Sequence, residues 1–78
     1  MSDIRNDSQQ KKAWQILLAE KELSAYKAAK LAGLPYTTLL NGMKRDIGRM
    51  EIATALALAG ALDMTVDELV KRIRYRDK

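Results

Sequence analysis

Gly33, followed two residues later by the chain's only proline, Pro35, cuts a helix-forming stretch in two. The stretch, residues 23–44, reads L-S-A-Y-K-A-A-K-L-A-G-L-P-Y-T-T-L-L-N-G-M-K. A glycine enters the left-handed conformation without a Cβ penalty and so ends a helix. A proline cannot continue the old helix, but its fixed φ suits the first position of a new one. Two short helices joined by a tight turn are therefore expected. Ser24 is placed to cap the first, its hydroxyl accepting from an amide of the first turn. Leu23 and Ala28 are spaced for a small hydrophobic staple. Ala28, Ala29 and Ala32 recur at helical spacing and form a narrow apolar face of small side chains. Such a face lets another helix approach closely. The second helix carries Tyr36, Thr37, Thr38, Leu39, Leu40, Asn41 and Met43.

Composition narrows what surrounds this pair. The 78 residues make one small domain, too small for a large ligand cavity or a second lobe. The chain has no cysteine and no histidine. Its own side chains therefore cannot supply disulfides, zinc-finger sites, or thiol or imidazole catalysis. The acids are dispersed, with no pair in an apolar setting, so an enzyme is the least favoured class. No cofactor, metal or small-molecule ligand is expected. Alanine, leucine and lysine dominate, and the aromatics are only Trp14, Tyr26, Tyr36 and Tyr75. This balance favours an all-α chain. No apolar run approaches the ~20 residues of a membrane span. The first residues lack the apolar core of a signal peptide, so a cytoplasmic location is expected.

In chain order, residues 1–7 are polar and aperiodic and are expected to form a flexible tail. Ser8 is placed to cap a helix running to about residue 21. Ala13, Trp14, Leu17 and Leu18 supply its buried face, with Ile16 off that face. Trp14 is read as a core anchor in preference to a surface contact, and its indole N–H needs a partner or the surface. After the two short helices, residues 44–49 read as a polar loop with Gly48 as its flexible point. A fourth helix over about residues 51–62 is expected to bury Ile52, Ala55, Leu56, Ala59 and Leu62. Its other face holds Ala53, Ala57 and Gly60. Either alanine serves there simply as a good helix former, or the small residues form a candidate dimer face. Thr65 with Glu68 makes a capping box, and Asp67 adds charge suited to the positive end of the helix dipole. Val66, Leu69, Val70 and Ile73 give that last helix an inner face. Lys71, Arg72, Arg74 and Arg76 either complement its negative end or grip an acidic partner. The domain is bounded at residues 8–74, with a short basic tail over 75–78.

Within this frame the motif resembles the helix-turn-helix of phage repressors, Cro proteins and the wider xenobiotic-response-element regulators. Ala29 lies four positions before the turn glycine, Leu34 directly follows it, and Leu39 lies six past it. The resemblance runs from about Trp14 to about Leu69. Downstream it includes Ile52, Ala59, Leu62 and the run Thr65-Val66-Asp67-Glu68-Leu69. It implies an all-α, compact five-helix bundle of the lambda-repressor type. The implied function is sequence-specific binding of double-stranded DNA by a transcriptional regulator, a repressor, acting as a homodimer. Two positions depart from the family pattern. Glu22 stands where a glycine is usual, at the first corner. Gly42 stands where an inward hydrophobe is usual. Either Met43 covers the gap within a continuing helix, or the helix ends near Asn41; the first is preferred.

Charge agrees with a polyphosphate partner. Residues 21–49 hold six bases and two acids, whereas residues 50–70 hold no base. An α-helix fits the major groove, where base edges are distinguishable. Carried over from the resemblance, the base contacts are Tyr36, Thr37, Leu40, Asn41 and Lys44. Asn41 has the amide for a bidentate pair with adenine. Thr37 offers a hydroxyl and a methyl, and Tyr36 a ring and a hydroxyl. Leu40 either touches a thymine methyl or is a second core residue. Phosphate contacts fall to Ser24, Ala25, Tyr26, Lys27 and Arg45, near a helix N-terminus or carrying charge. The rival class is a protein-interaction module on the same fold, such as an antitoxin or anti-repressor. A membrane-surface role for the basic end is weaker, because its helix lacks bulky interfacial aromatics apart from Tyr75.

Overall fold

The computed structural model describes residues 4–75. Five α-helices follow one another: α1 (Asp7–Glu20), α2 (Ala25–Ala32), α3 (Tyr36–Met43), α4 (Ile52–Ala61) and α5 (Val66–Arg74). A 3-10 turn, Ile47–Arg49, lies between α3 and α4. The chain is thus a small all-α bundle. Each short helix begins where a local signal starts it. Ser24 Oγ accepts from the Lys27 amide at 3.1 Å. Thr65 and Glu68 satisfy each other's amides at 3.1 and 3.0 Å, the expected capping box. Gly33 ends α2 with φ +71°, in the left-handed region.

Two starting points differ from expectation. α1 is capped by Asn6, not Ser8, in a reciprocal pair with Gln9 at 2.8 and 3.0 Å. The box Asn6…Gln9 satisfies two amides, whereas Ser8 sits inside the first turn. Pro35 is the N-cap of α3, with ψ 141°, not its first residue. Its carbonyl accepts from Thr38 and Leu39 at 3.1 and 3.2 Å.

The core gathers around Trp14, Leu17, Leu39, Leu58, Leu62, Leu69 and Ile73, all fully buried. α2 lies between α3 and α4, and α1 packs on α3 and α5. Ala28 and Ala29 are buried where α2 meets its neighbours, as their small size allows. Trp14 is the anchor expected of it, but its Nε1–H finds no partner among the described residues. α3 continues through Met43, whose side chain is buried.

α4 turns differently from the expected stripe. Ala55, Leu58, Ala59 and Leu62 face the core, while Ile52 is 70% and Leu56 57% exposed. Nine of the ten residues of α4 are apolar or glycine, so periodicity alone could not distinguish one face from another.

Of the expected flexible tail over residues 1–7, Ile4 to Asp7 pack into the fold; residues 1–3, and residues 76–78 of the expected basic tail, lie outside the described residues. Ile4 forms an antiparallel bridge with Tyr75, and the Arg5 amide donates to the Arg74 carbonyl at 2.8 Å. Arg5 Nη1 donates to the carbonyls of Arg72 and Ile73 at 2.6 and 3.2 Å, covering the end of α5. Gln10, fully buried, joins this clasp to the 3-10 turn. Its Nε2 donates to the Arg5 carbonyl, and its Oε1 accepts from the Ile47 amide, both at 2.8 Å. Residues 44–49 are therefore not a simple flexible loop. Ile47 is part of the core, and Asp46 caps the turn by accepting from the Gly48 amide at 2.9 Å.

Candidate nucleic-acid interface

α3 buries Leu39 and Met43 and turns its opposite side outward. Thr37 and Asn41, one helical turn apart, are exposed there, as is Lys44 at the C-cap. Neither the Thr37 hydroxyl nor the Asn41 amide makes a hydrogen bond among the described residues, so both are unengaged. Tyr36 opens the helix, 42% exposed. Leu40 is half-buried but lies outside the core cluster, so it fits neither of its two expected roles fully.

α2 precedes α3 across the turn at Gly33. Ser24 occupies the Lys27 amide, which leaves the amides of Ala25 and Tyr26 without a partner among the described residues. Two free amides at the positive end of a helix favour an anion. Ala25's side chain packs against the core, so only its backbone is available. The Lys27 side chain is exposed. Tyr26 is exposed as well, and its ring meets Tyr36 edge to face.

Beyond Asn41 an open groove of about 230 Å³ separates the end of α3 from the start of α4. Thr38, Asn41, Arg45, Arg49 and Thr54 line it, together with Asp46 and Glu51. Thr38 and Arg49 are missing from the sequence-derived site. Thr38 lies three residues before Asn41 and so shares its side of the helix, a signal available from spacing. Arg49 depends on the 3-10 turn, which no local pattern announced.

Among the described residues three cations form ion pairs, all of them on α5. At the C-terminal end Lys71 pairs with Asp67 at 3.2 Å, Arg72 with Glu20, and Arg74 Nε with Asp46 at 3.4 Å. Lys27, Lys44, Arg45 and Arg49, around α3, have no ion-pair partner among the described residues, and neither do Arg5, Lys11, Lys12, Lys21 and Lys30. Lys71, Arg72 and Arg74 are thus each paired within the fold, while Arg76 lies outside the described residues. The Gly48 amide, chiefly, holds the Asp46 carboxyl below its usual range, with help from Gln10, Arg74 and Arg49 and against desolvation. Asp46 is therefore a structural anion already matched inside the chain.

Of the residues considered for self-association, Ala53 and Gly60 are exposed and Ala57 is half-buried. Ile52 and Leu56 stand beside them on the outward side. Among the described residues no three acids lie close enough to hold a metal ion, and no helix is long and apolar enough to cross a membrane. Comparison with family models, characterised proteins and solved structures returns no match to this chain.

Proposed function

We propose that the chain binds double-stranded DNA as a small transcriptional regulator of the repressor type, laying α3 in the major groove. The observation that carries this reading is the group of cations around an exposed side of α3. Lys27, Lys44, Arg45 and Arg49 lack ion-pair partners among the described residues and flank an exposed, hydrogen-bond-ready helix face. Phosphates supply the missing partners, and the free amides of Ala25 and Tyr26 add a docking point at the start of α2. Thr37 and Asn41 then read base edges, with Tyr36 and Lys44 at the two ends of α3. This is the use the resembling repressor and Cro proteins make of their second motif helix. Ser24 and Arg45 contribute to the backbone grip, and Arg49 joins them.

α3, with eight residues, is about 12 Å long and covers about one half-site. Two copies therefore act together on a two-fold sequence. The outward side of α4 is the face proposed for their meeting. Ile52, Ala53, Leu56 and Gly60 are exposed there without a charge to repel a second copy. One side of a ten-residue helix is far smaller than the ~800 Å² per partner of a stable interface. Association is consequently weak in free solution and completed on DNA.

In vitro selection from a random duplex library tests the reading. Enrichment of a two-fold symmetric sequence, with affinity falling steeply as salt rises, is the expected result. No enrichment and no binding to mixed duplex at low salt would turn the assignment toward the protein-interaction class.

A further inference from the structure

Tyr26 and Tyr36 belong to different helices, yet their rings meet edge to face, with centroids 5.9 Å apart and planes at 66°. Lys30 Nζ lies over the Tyr26 ring, 5.5 Å from its centroid. The two rings are 56% and 42% exposed, and neither belongs to the buried core. Burial therefore does not explain their contact.

An exposed tyrosine in the first turn of a helix has more than one staggered rotamer open to it. Pro35 offers no side-chain cap that would help order this end of α3. The Tyr26 ring is in contact with Tyr36 and limits where it can point. Aromatic pairs of this geometry bias such a choice by about twofold to tenfold. Lys30, over the Tyr26 ring, restrains that ring in turn. Lys30, Tyr26 and Tyr36 thus form a row from the middle of α2 to the first residue of α3.

We propose that Tyr26 is a positioning residue: its ring aims Tyr36, and so sets the nucleotide preference at the outer edge of the recognised sequence. The inference rests on the duplex-DNA reading. Tyr26 touches no base in this scheme. Its backbone amide serves a phosphate, and its ring acts through Tyr36.

The test is sequence selection with the full chain as wild type, Tyr26→Ala, Tyr26→Phe and Tyr36→Ala. Tyr26→Gln, a helix-compatible residue without a ring, serves as a second probe, and thermal midpoints verify folding. Tyr26→Ala and Tyr26→Gln are expected to keep the preferences set by Thr37 and Asn41. They lose about twofold to tenfold preference at one outer position, the one that Tyr36→Ala also affects. Tyr26→Phe keeps the ring and retains the preference. Adding Tyr26→Ala to Tyr36→Ala produces no further loss there. An unchanged preference in Tyr26→Ala and Tyr26→Gln overturns the inference, and so does uniform weakening on every sequence, which marks a plain backbone contact. A wild type that selects no sequence overturns the DNA reading itself, an outcome visible before any variant is made.

Discussion

Met50 lies over the bare face of Gly42: its Cε stands 2.8 Å from where a Cβ on residue 42 would be. A methyl from the far side of the 3-10 turn thus occupies the space beside this position of the helix. Gly42 lowers helix propensity by about 1 kcal/mol relative to alanine. The obstructing atom is the end of an unbranched, flexible side chain, which can move aside. Gly42→Ala is therefore expected to stabilise the chain, by less than about 1 kcal/mol. Gly42→Leu, too large for Met50 to evade, is expected to destabilise it by about 1–3 kcal/mol. Denaturant unfolding of both variants checks the signs. A loss above 1 kcal/mol in Gly42→Ala would mean that Met50 is locked in place.

Three helix-to-helix corners turn through a left-handed residue, but only one uses glycine. Gly33 has φ +71°, whereas Glu22 and Asp63 have φ +56° and +58°. A left-handed L-residue costs about 1–2 kcal/mol, less for Asp, and glycine returns part of this as unfolded-state entropy. Glu22→Gly is expected to gain about 0.5–1 kcal/mol, and Asp63→Gly less. Gly33→Ala meets no atom within 4 Å, so its loss of about 1 kcal/mol arises from φ alone. Unfolding midpoints at unchanged m-values provide the comparison.

Gln10 joins the chain start to the 3-10 turn, and its bond to the buried Ile47 amide cannot be replaced by water without opening the core. Gln10→Leu leaves the Arg5 carbonyl and the Ile47 amide unpaired. At about 1–3 kcal/mol for each buried group, the expected loss is about 2–4 kcal/mol, since the Arg5 end is partly accessible. Amide exchange at Ile47 should accelerate beyond what global destabilisation explains. Equal acceleration at all core amides would assign Gln10 a packing role only.

The parts legible from sequence are those whose cause is local. Ser24, Gly33 and the Thr65–Glu68 box announce themselves within four residues, and Leu39 follows from spacing past Gly33. The expected stripe of α4 fails at Ile52 and Leu56 and omits the buried Leu58, because an almost uniformly apolar helix offers no contrast. Ile47 looked like loop because its burial depends on Gln10, 37 residues earlier. The clasp of Ile4 and Arg5 on Tyr75 and Arg74 is likewise a meeting of chain ends that no window spans. At the candidate site, the outward positions of Thr37 and Asn41 agree with helical spacing. The pairing of Tyr26 with Tyr36, and the inclusion of Arg49 in the groove, are products of tertiary packing.

Acid should weaken the fold through two carboxylates. Asp46 is held below its usual range chiefly by the Gly48 amide, and Glu68 by the Thr65 amide and then its hydroxyl. A depressed folded value means that the stability is present above the unfolded pKa, about 4, and lost as pH falls through the folded value. Unfolding free energy is expected to hold steady from pH 7 to about 5 and to decline below about pH 4. Asp46→Asn keeps an acceptor for Gly48 but cannot titrate, so its difference from wild type should shrink as pH drops. A difference that is constant from pH 7 to 2 would separate Asp46's role from its charge.

Asn41 provides the sharpest separation of base reading from backbone grip. Its side chain makes no hydrogen bond among the described residues, so Asn41→Ala should barely alter the stability of the free chain. On a selected operator the same change should cost about 1–3 kcal/mol and relax preference at one position, with little effect on scrambled duplex. Lys27→Ala should behave in the opposite manner. It should weaken selected and scrambled duplexes alike and reduce the salt slope by about 1. Fluorescence anisotropy at several salt concentrations, with both duplexes, measures all four quantities. If Asn41→Ala binds and selects as wild type does, α3 does not present this side to the bases. The far wall of the groove, at Arg49 and Thr54, then becomes the surface to vary.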